Sequence, residues 1–443
     1  MKKEIILVKN KLVNNATWIV GGKLAKVVLT LLVTMLTARY LGPQNYGTIN
    51  YAAGLVAFAA PLMKLGLSAI LVREFVNRQD EEGKILGTVT LLNLLSSLLC
   101  IIGITAFSAI ANAGECETVL VCAIYSVLLI FQALEMVQYW FQARLLSKYT
   151  SIATVCAYAC TALFQIILLI TQKSVYWFAA SNSVEFGILA IILLVVYRKK
   201  GGQKLFFSFG EAKRLLSVGR YYILAEMMVV IFAQTDKIML KLMIGSESVG
   251  YYAAAVTCAT MFGFVFAAII DSARPIIIEA KQRSVAEFEK MMTMLYSVIF
   301  YLALAVSVGI TLFAPLIIRI MYGVDYIDAV APLRLSVWYI VFSLFGAVRN
   351  VWILAEEKQQ YLWRINICGA MANVILNVIF IPVWGIMGAA FTSLVTQFFT
   401  NVIMGFLIKP IKPNNKLMLL GMDIRLIWKI VMGVLVGEKG RDE

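Results

Sequence analysis

Ionisable side chains interrupt several of the longest apolar stretches of this 443-residue sequence. Eight of them are basic and four are acidic, so the interior that these stretches form is net cationic. Positive charge in a low-dielectric cavity attracts anions strongly, and an ammonium group binds phosphate as a compact point charge. We therefore predict a site for an anionic amphiphile or polar solute. The candidate contact residues are Lys23, Lys26, Lys64, Lys237, Lys241 and Arg349.

Two of these lysines, Lys23 and Lys26, lie near the centre of the first apolar run. Helical spacing places them on one stripe with Thr30, Thr34 and Thr37. A lysine near the end of a span extends its ammonium group to the lipid headgroups, but this is difficult from the centre. The stripe is therefore predicted to line a water-filled cavity. Lys64 lies nearer the cytoplasmic end of its run, so contact with headgroups remains the alternative there.

Four acids also lie inside apolar runs, where an ionisable side chain is costly and marks a candidate functional position. Glu226 and Lys237 are three helical turns apart and so share a helix face. One interpretation is that such charges form ion pairs that only hold helices together. The interpretation adopted here is gating, or coupling to H⁺ or Na⁺, by Glu226, Asp236, Glu135 and Glu185.

Several other kinds of chemistry find no support in the sequence. It contains no histidine, and most of its seven cysteines lie inside apolar runs. Neither Gly22-Lys23 nor Gly83-Lys84 is followed by Ser or Thr, so no Walker-type phosphate-binding loop is present. We predict no cofactor, no metal and no enzymatic activity. We expect transport to draw on an ion gradient, the membrane potential or the substrate gradient.

The elements that position the charged residues are predicted to be membrane-spanning helices. The chain is 61% hydrophobic and only 14% charged, whereas a soluble domain is about a quarter charged. Backbone groups in lipid need internal partners, and apolar runs of around twenty residues cross the ~30 Å hydrocarbon layer as helices. The net charge of +14 does not indicate nucleic acid, because the basic residues lie mostly between the runs. The predicted fold class is therefore all-α integral membrane.

About twelve transmembrane helices are predicted, and the loop charges fix their orientation. With the N-terminus inside, the cytoplasmic segments hold 28 Lys and Arg residues and the opposite side holds only three. Both termini are therefore predicted to be cytoplasmic. The predicted spans are 12–37, 47–71, 85–111, 118–141, 151–171, 174–197, 219–243, 250–271, 293–318, 332–354, 361–381 and 386–408.

The longest internal polar segment follows the sixth span and divides the twelve spans in half. We predict a six-helix bundle at 1–197, a basic cytoplasmic linker at 198–218 and a second six-helix bundle at 219–408. Residues 409–443 form a cytoplasmic tail. Its residues 418–436 are apolar but interrupted by charges, which favours an interfacial amphipathic helix over a further span.

A short motif recurs in the turn between the first two spans of each half. Leu41-Gly42-Pro43-Gln44-Asn45-Tyr46-Gly47 corresponds to Ile244-Gly245-Ser246-Glu247-Ser248-Val249-Gly250, with glycines five apart in both and an offset of 203 residues. Repeated halves are typical of secondary transporters, whose substrate site lies between the halves near the bilayer midplane. The repeat therefore favours a transporter.

The stretch Thr37-Ala38-Arg39-Tyr40-Leu41-Gly42-Pro43-Gln44-Asn45-Tyr46-Gly47 resembles the polysaccharide-biosynthesis exporter family, which is O-antigen-flippase-like. Thr235-Asp236-Lys237 with Gly250-Tyr251-Tyr252, and Gly385-Ile386-Met387-Gly388-Ala389-Ala390, are also similar to that family. The resemblance covers about 1–408. The plan is similar to that of the superfamily that includes multidrug and toxin extrusion transporters and the lipid II flippase.

The resemblance implies two six-helix bundles around a central cavity and alternating access in a bacterial cytoplasmic membrane. The implied substrate is an undecaprenyl-diphosphate-linked oligosaccharide, moved from the inner to the outer leaflet, with a polysaccharide polymerase as a partner. The family often has Arg in the cavity where this chain has Lys23 and Lys26.

Three alternatives remain open at the level of sequence. A peptidoglycan lipid-precursor flippase would share most of these features. A multidrug exporter of cations should have an acidic, aromatic site, and the cationic excess argues against it. A membrane scaffold would have mutually paired intramembrane charges and no cavity.

Overall fold

The computed structural model describes residues 2–425 and 427–428, with side chains from residue 29 onward except at 225. Every regular element in this described part is helical. The α-helices are α1 Lys2–Lys64, α2 Ser68–Asn77, α3 Glu82–Ala111, α4 Cys116–Ser126, α5 Leu128–Leu134, α6 Gln138–Ala143, α7 Ser147–Ile170, α8 Val175–Lys199, α9 Phe209–Met243, α10 Ser246–Thr260, α11 Gly263–Arg283, α12 Val285–Met321, α13 Val330–Ala355, α14 Leu362–Trp384, α15 Ile386–Phe398, α16 Met404–Leu407 and α17 Lys412–Gly421.

Within α1 the chain reverses direction at Gly42, which has φ 69° and ψ 171°. Glycine adopts such positive φ values without the steric penalty that other residues carry. Before Gly42, the Tyr40 hydroxyl donates to the Lys173 carbonyl beyond the end of α7. After it, Tyr51 accepts a hydrogen bond from Asn112 at the end of α3. The next turns then run back along α3, so the predicted turn between the first two spans is present.

The number of helices that could cross a membrane agrees with the predicted fold class. In the described part nine pass a length and composition test, or eleven if each of two bent pairs is one span. One pair bends by 41° between Leu224 and Glu226, and the other by 42° between Thr260 and Gly263. Counting the two sides of Gly42 separately brings the number to twelve. The chain is a multi-pass membrane protein.

Two compact units are present, residues 1–250 and 251–443, so α9 groups with the first unit. The chain directly after α9, at the start of α10, approaches α1 at glycines. A Cβ atom on Gly47 would lie 1.7 Å from the Ser246 carbonyl oxygen, and one on Gly250 would lie 2.1 Å from the Pro43 carbonyl oxygen. Small residues allow membrane helices to pack this closely. The two copies of the sequence repeat are therefore in direct contact at their glycines.

The predicted linker 198–218 is attached to α3 rather than free. The Gly83 amide donates to the Gln203 side chain over 2.9 Å, and the Ser208 amide donates to the Thr88 hydroxyl over 3.1 Å. A Cβ atom on Gly87 would lie 2.6 Å from the backbone of Phe206. The linker therefore lies along the first turns of α3, and α9 begins from a fixed position.

The second unit has a core of α12 and α13 that the tail helix α17 completes. The buried Tyr296 donates from its hydroxyl to Asn414 over 2.9 Å, and Gly421 packs against the Cβ atom of Tyr296. The start of the predicted tail is thus part of the core. Residue 426 and residues 429–443, which include much of the predicted amphipathic segment, lie outside the described residues.

The close approach at Gly47 can be tested with a matched pair of glycines. We expect Gly47→Ala to destabilise the protein by roughly 2–3 kcal/mol, because overpacking against a backbone forces the helices apart. Gly54 lies two turns further along α1, where an added Cβ would meet side chains only at 3.7 and 3.8 Å. We expect Gly54→Ala to leave the thermal unfolding midpoint in detergent unchanged or slightly raised. Equal midpoints for the two variants would contradict the contact.

Candidate functional site

Two of the predicted coupling carboxylates lie close to each other in the first unit. The Ser68 hydroxyl at the start of α2 donates to Glu226 of α9 over 2.8 Å. Gln138 of α6 donates to Glu135 over 3.0 Å. The Tyr139 phenol pairs with Ser68 and lies near both carboxylates. This cluster, Ser68, Glu135, Gln138, Tyr139 and Glu226, is called the acid cluster below.

Both carboxylates of the acid cluster lie where a helix is interrupted. Glu135 begins a short 3₁₀ turn, Glu135–Val137, between α5 and α6. Glu226 is the first residue after the 41° bend in α9. Departures from regular α-helix inside a span loosen the local hydrogen bonding and often mark functional hinges. The sequence indicated the two carboxylates but neither break, because neither break contains Gly or Pro.

The other two predicted coupling residues lie apart from the acid cluster. Glu185 of α8 is buried, and its charge acts on Tyr125 of α4 and Tyr158 of α7. Asp236 is buried in α9, between Thr235 and Lys237. The contacts described for the acid cluster, from Ser68, Gln138 and Tyr139, involve neither of these two acids.

The predicted basic residues fall into different surroundings. Lys64 is half-buried at the end of α1, and no described side chain lies within ion-pair distance of it. Lys237 is half-buried in α9 next to Asp236. Lys23 and Lys26 lie on the helical backbone of α1, but their side chains lie outside the described residues.

Lys241 is engaged by an acid that the sequence did not single out. It is 6% exposed near the end of α9 and forms a salt bridge with Glu115, which precedes α4. Glu115 also accepts from Thr118 over 2.7 Å. The hydrogen bonds from Lys241 and Thr118 outweigh burial and hold the pKa of Glu115 below its usual range. A sequence signal for Glu115 exists, because it is an acidic residue in a predicted outer loop and Lys241 lies near the predicted outer end of its span.

Arg349 is buried in the second unit, where its side chain is bound to backbone. It is 3% exposed, and its Nη1 donates to the Thr400 carbonyl over 2.8 Å. Thr400 lies in a π-helical turn, Phe399–Ile403, whose widened hydrogen bonding gives the arginine access to this carbonyl. In this structure Arg349 thus supports the turn between α15 and α16.

An ion-pair network on the predicted cytoplasmic side was also missed by the sequence reasoning. Arg78 after α2 donates to Glu211 over 2.7 Å, and Arg214 donates to Glu74 over 2.6 Å. Both carboxylates are buried. The network fastens the start of α9 to α2. Arg78 and Arg214 entered the sequence reasoning only as charges that set the orientation. The four alternating charges on these adjacent segments are a usable signal for the network.

Comparison with known proteins identifies the family. A profile of the family described as polysaccharide biosynthesis protein matches residues 12–281. The chain belongs to this family. A protein of Shigella flexneri assigned as an O-antigen transporter is 21% identical over 86% of this chain and 93% of its own length. An uncharacterised membrane protein of Methanocaldococcus jannaschii is 23% identical over 51% of this chain, and the match spans about half, 47%, of that relative.

Solved structures show the same fold. The lipid II flippase MurJ in an inward closed conformation has a TM-score of 0.70 at 16% identity, covering 94% of this chain and 96% of its own. An inward-facing multidrug resistance transporter of the MATE family, in the MOP superfamily, has a TM-score of 0.67 at 18% identity, covering 88% and 96%. The fold implied by the resemblance to this superfamily is confirmed.

The pairing of Lys241 with Glu115 predicts a specific pattern in a double-mutant cycle. Lys241→Gln removes the positive partner of Glu115 and leaves this charged carboxylate with the hydrogen bond from Thr118. We therefore expect lower stability and lower transport. Adding Glu115→Gln removes that charge and should restore most of the loss, because uncharged partners leave no uncompensated charge. The measurement is the unfolding midpoint together with complementation of a deletion strain. A double variant as defective as Lys241→Gln would instead favour direct contact between Lys241 and the substrate.

Proposed function

We propose that the protein is a flippase that moves an undecaprenyl-diphosphate-linked oligosaccharide from the inner to the outer leaflet by alternating access. The observation that carries the proposal is a net cationic set of residues inside the spans of a polysaccharide biosynthesis family member. Similarity to an assigned O-antigen transporter over nearly its full length, and the fold shared with a lipid II flippase, support it. Both the family and the fold belong to transporters rather than catalysts.

The substrate contacts proposed for the diphosphate are led by Lys23, Lys26, Lys64 and Lys237. Lysine ammonium groups at mid-depth would compensate phosphate charge, while the lipid tail stays in the bilayer. Lys241 and Arg349 remain candidates, but in this structure they are engaged by Glu115 and Thr400. Each would have to exchange a protein partner for phosphate during transport.

The acid cluster is the proposed coupling site. Glu226 and Glu135 are brought together through Ser68 and Tyr139 at two helix breaks. Uptake of H⁺ or Na⁺ by these carboxylates would change the charge at the bend of α9 and so favour one helix geometry over another. Asp236 and Glu185 are proposed to act in gating or coupling from their own buried positions.

The proposed location is a bacterial cytoplasmic membrane with both termini in the cytoplasm. The excess of Lys and Arg in the predicted cytoplasmic segments supports this orientation. A polysaccharide polymerase is the proposed downstream partner, since it would use the exported repeat unit.

A peptidoglycan lipid-precursor flippase is the second candidate, and the fold shared with MurJ at 16% identity supports it. Both substrates place a diphosphate at the same depth, so the charge pattern does not separate them. A multidrug exporter of the same superfamily fits less well, because the buried cationic excess would repel cationic drugs.

Deletion of the gene, followed by analysis of the lipid-linked intermediates, tests the substrate class. We expect the undecaprenyl-diphosphate-linked repeat unit to accumulate on the inner leaflet, while lipid II is exported normally. Accumulation of lipid II would favour the second candidate. Unchanged levels of both intermediates would contradict a flippase of either kind.

Charge removal at the centre of the first span tests the contact residues. We expect Lys23→Gln with Lys26→Gln to abolish complementation of the deletion strain, because the diphosphate would lose its nearest compensating charges. The Lys23→Arg, Lys26→Arg variant keeps the charge and should complement. Lys11→Gln, in the predicted cytoplasmic approach, is the matched control. Wild-type complementation by the Gln double variant would remove these residues from the site.

The acid cluster can be tested in proteoliposomes with an imposed pH or Na⁺ gradient. We expect Glu226→Gln to abolish the gradient dependence of flipping of a fluorescent polyprenyl-diphosphate sugar, because a neutral amide takes up neither ion. Ser68→Ala should weaken that dependence while the carboxylate remains. Glu211→Gln, in the cytoplasmic ion-pair network, is the control carboxylate. A Glu226→Gln variant with normal gradient dependence would contradict a coupling role.

A further inference from the structure

A polar cavity of about 340 Å³ opens at the predicted outer end of the first unit. It lies between the turn after Gly42 and the loop that leads from α3 into α4. Its volume falls in the lower part of the range of small-molecule sites. The predicted outer side is where a flipped substrate would leave the protein.

Most of the described residues that line this cavity have polar side chains. Gln44 and Asn45 contribute amides, Glu115 and Glu117 contribute carboxylates, and Thr118 contributes a hydroxyl. Amides both donate and accept hydrogen bonds, whereas ionised carboxylates only accept. Such a set matches groups that donate and accept at adjacent positions, as the hydroxyls of a sugar ring do. It does not match a phosphate, which two carboxylates would repel, or a lipid tail.

Part of the lining is held in position before any ligand arrives. The Glu115 carboxylate is fixed by Lys241 and by Thr118, and it is ionised at neutral pH because these hydrogen bonds lower its pKa. On another wall, the Thr48 hydroxyl donates to the buried Ser246 hydroxyl over 3.0 Å. Groups that are already ordered lose less freedom on binding. The cavity is therefore arranged to accept hydrogen bonds from a ligand at a low entropic cost.

We propose that this cavity binds a sugar unit of the lipid-linked substrate on the outer side of the membrane. The proposal rests on the flippase function and adds a second contact region to it. The cationic interior would hold the diphosphate, and the cavity would hold a neutral, hydroxyl-rich ring after passage. A site built to hydrogen-bond hydroxyls discriminates strongly against ligands that lack them. The cavity would thus contribute selectivity for the sugar portion.

Cys116 provides a direct reporter, because it is an exposed free thiol on the wall of the cavity. A sulfonated, membrane-impermeant maleimide is added to intact cells that make the lipid-linked repeat unit, and to cells that lack the initiating sugar-phosphate transferase. We expect Cys116 to react several-fold more slowly in the cells that make the substrate. Cys116→Ser gives the background from the other cysteines. Equal rates in the two strains would overturn the proposal.

Variants of the lining separate occupancy from a general change of conformation. We expect Gln44→Ala with Asn45→Ala to weaken sugar binding about tenfold or more and to remove the protection of Cys116. Its labelling rate in substrate-free cells should match that of the wild type, which shows an intact outer face. Glu117→Gln is a second lining variant, in which a single carboxylate is replaced by an amide. Lys173→Gln, in another outer loop, should retain full protection. Protection that persists in both lining variants would overturn the proposal.

Two further outcomes keep the proposal distinct from others. Protection of Cys116 by millimolar Ca²⁺ or Mg²⁺ in substrate-free cells would overturn it, since Glu115 and Glu117 would then hold a cation. Accumulation of the repeat unit in deletion cells, combined with unchanged labelling of Cys116, would refute the sugar site and leave the flippase intact. No accumulation in deletion cells would refute the flippase itself.

Discussion

A charge in the hydrocarbon layer needs a protein partner, water or an interface, and this requirement organises the whole chain. A central Lys, Arg or Asp costs about 2.5–3.5 kcal/mol or more in a membrane helix. The structure meets the requirement locally at several positions, with Glu115 for Lys241, a π-helical carbonyl for Arg349 and a hydroxyl for Glu226. These contacts identify charged side chains that have a protein partner in the described part of the chain. Lys64 is half-buried and forms no ion pair with any described side chain.

Close backbone contact determines where the helices of the first unit can move. At the predicted outer end, Gly47 and Gly250 each approach a carbonyl oxygen of the other segment. At the predicted inner end, a Cβ atom on Gly66 would lie 2.2 Å from the Gly219 carbonyl oxygen. Between them, Gly54 has ordinary contacts. Tight contacts at both ends with looser packing between them allow a helix to bend in the middle while its ends stay in register.

The sequence predicted the helical spans because a helix that crosses lipid needs a long apolar run. The glycine repeat located the turn at Gly42, where the chain reverses direction within α1. The sequence also indicated Glu226 and Glu135 as costly charges, and their role in coupling stays a prediction. It could not show that both carboxylates lie near the Tyr139 phenol, since this proximity arises only from tertiary packing. Nor could it pair Lys241 with Glu115, which are 126 positions apart. Hydropathy describes one helix at a time, whereas the candidate site is a property of helix contacts.

Helix α9 connects the functional regions of the first unit at three depths. Arg214 binds Glu74 at the predicted cytoplasmic end, Glu226 accepts from Ser68 beside the bend, and Lys241 binds Glu115 at the predicted outer cavity. Because the bend lies between the first and last of these contacts, a change in its angle must move Lys241 relative to Arg214 or strain one of their ion pairs. Neutralising Glu226 would therefore change the position of Lys241 at the outer cavity, even without direct contact between Glu226 and the cavity residues. If flipping is coupled to an ion as proposed, the bend of α9 would link uptake of that ion to the release of sugar.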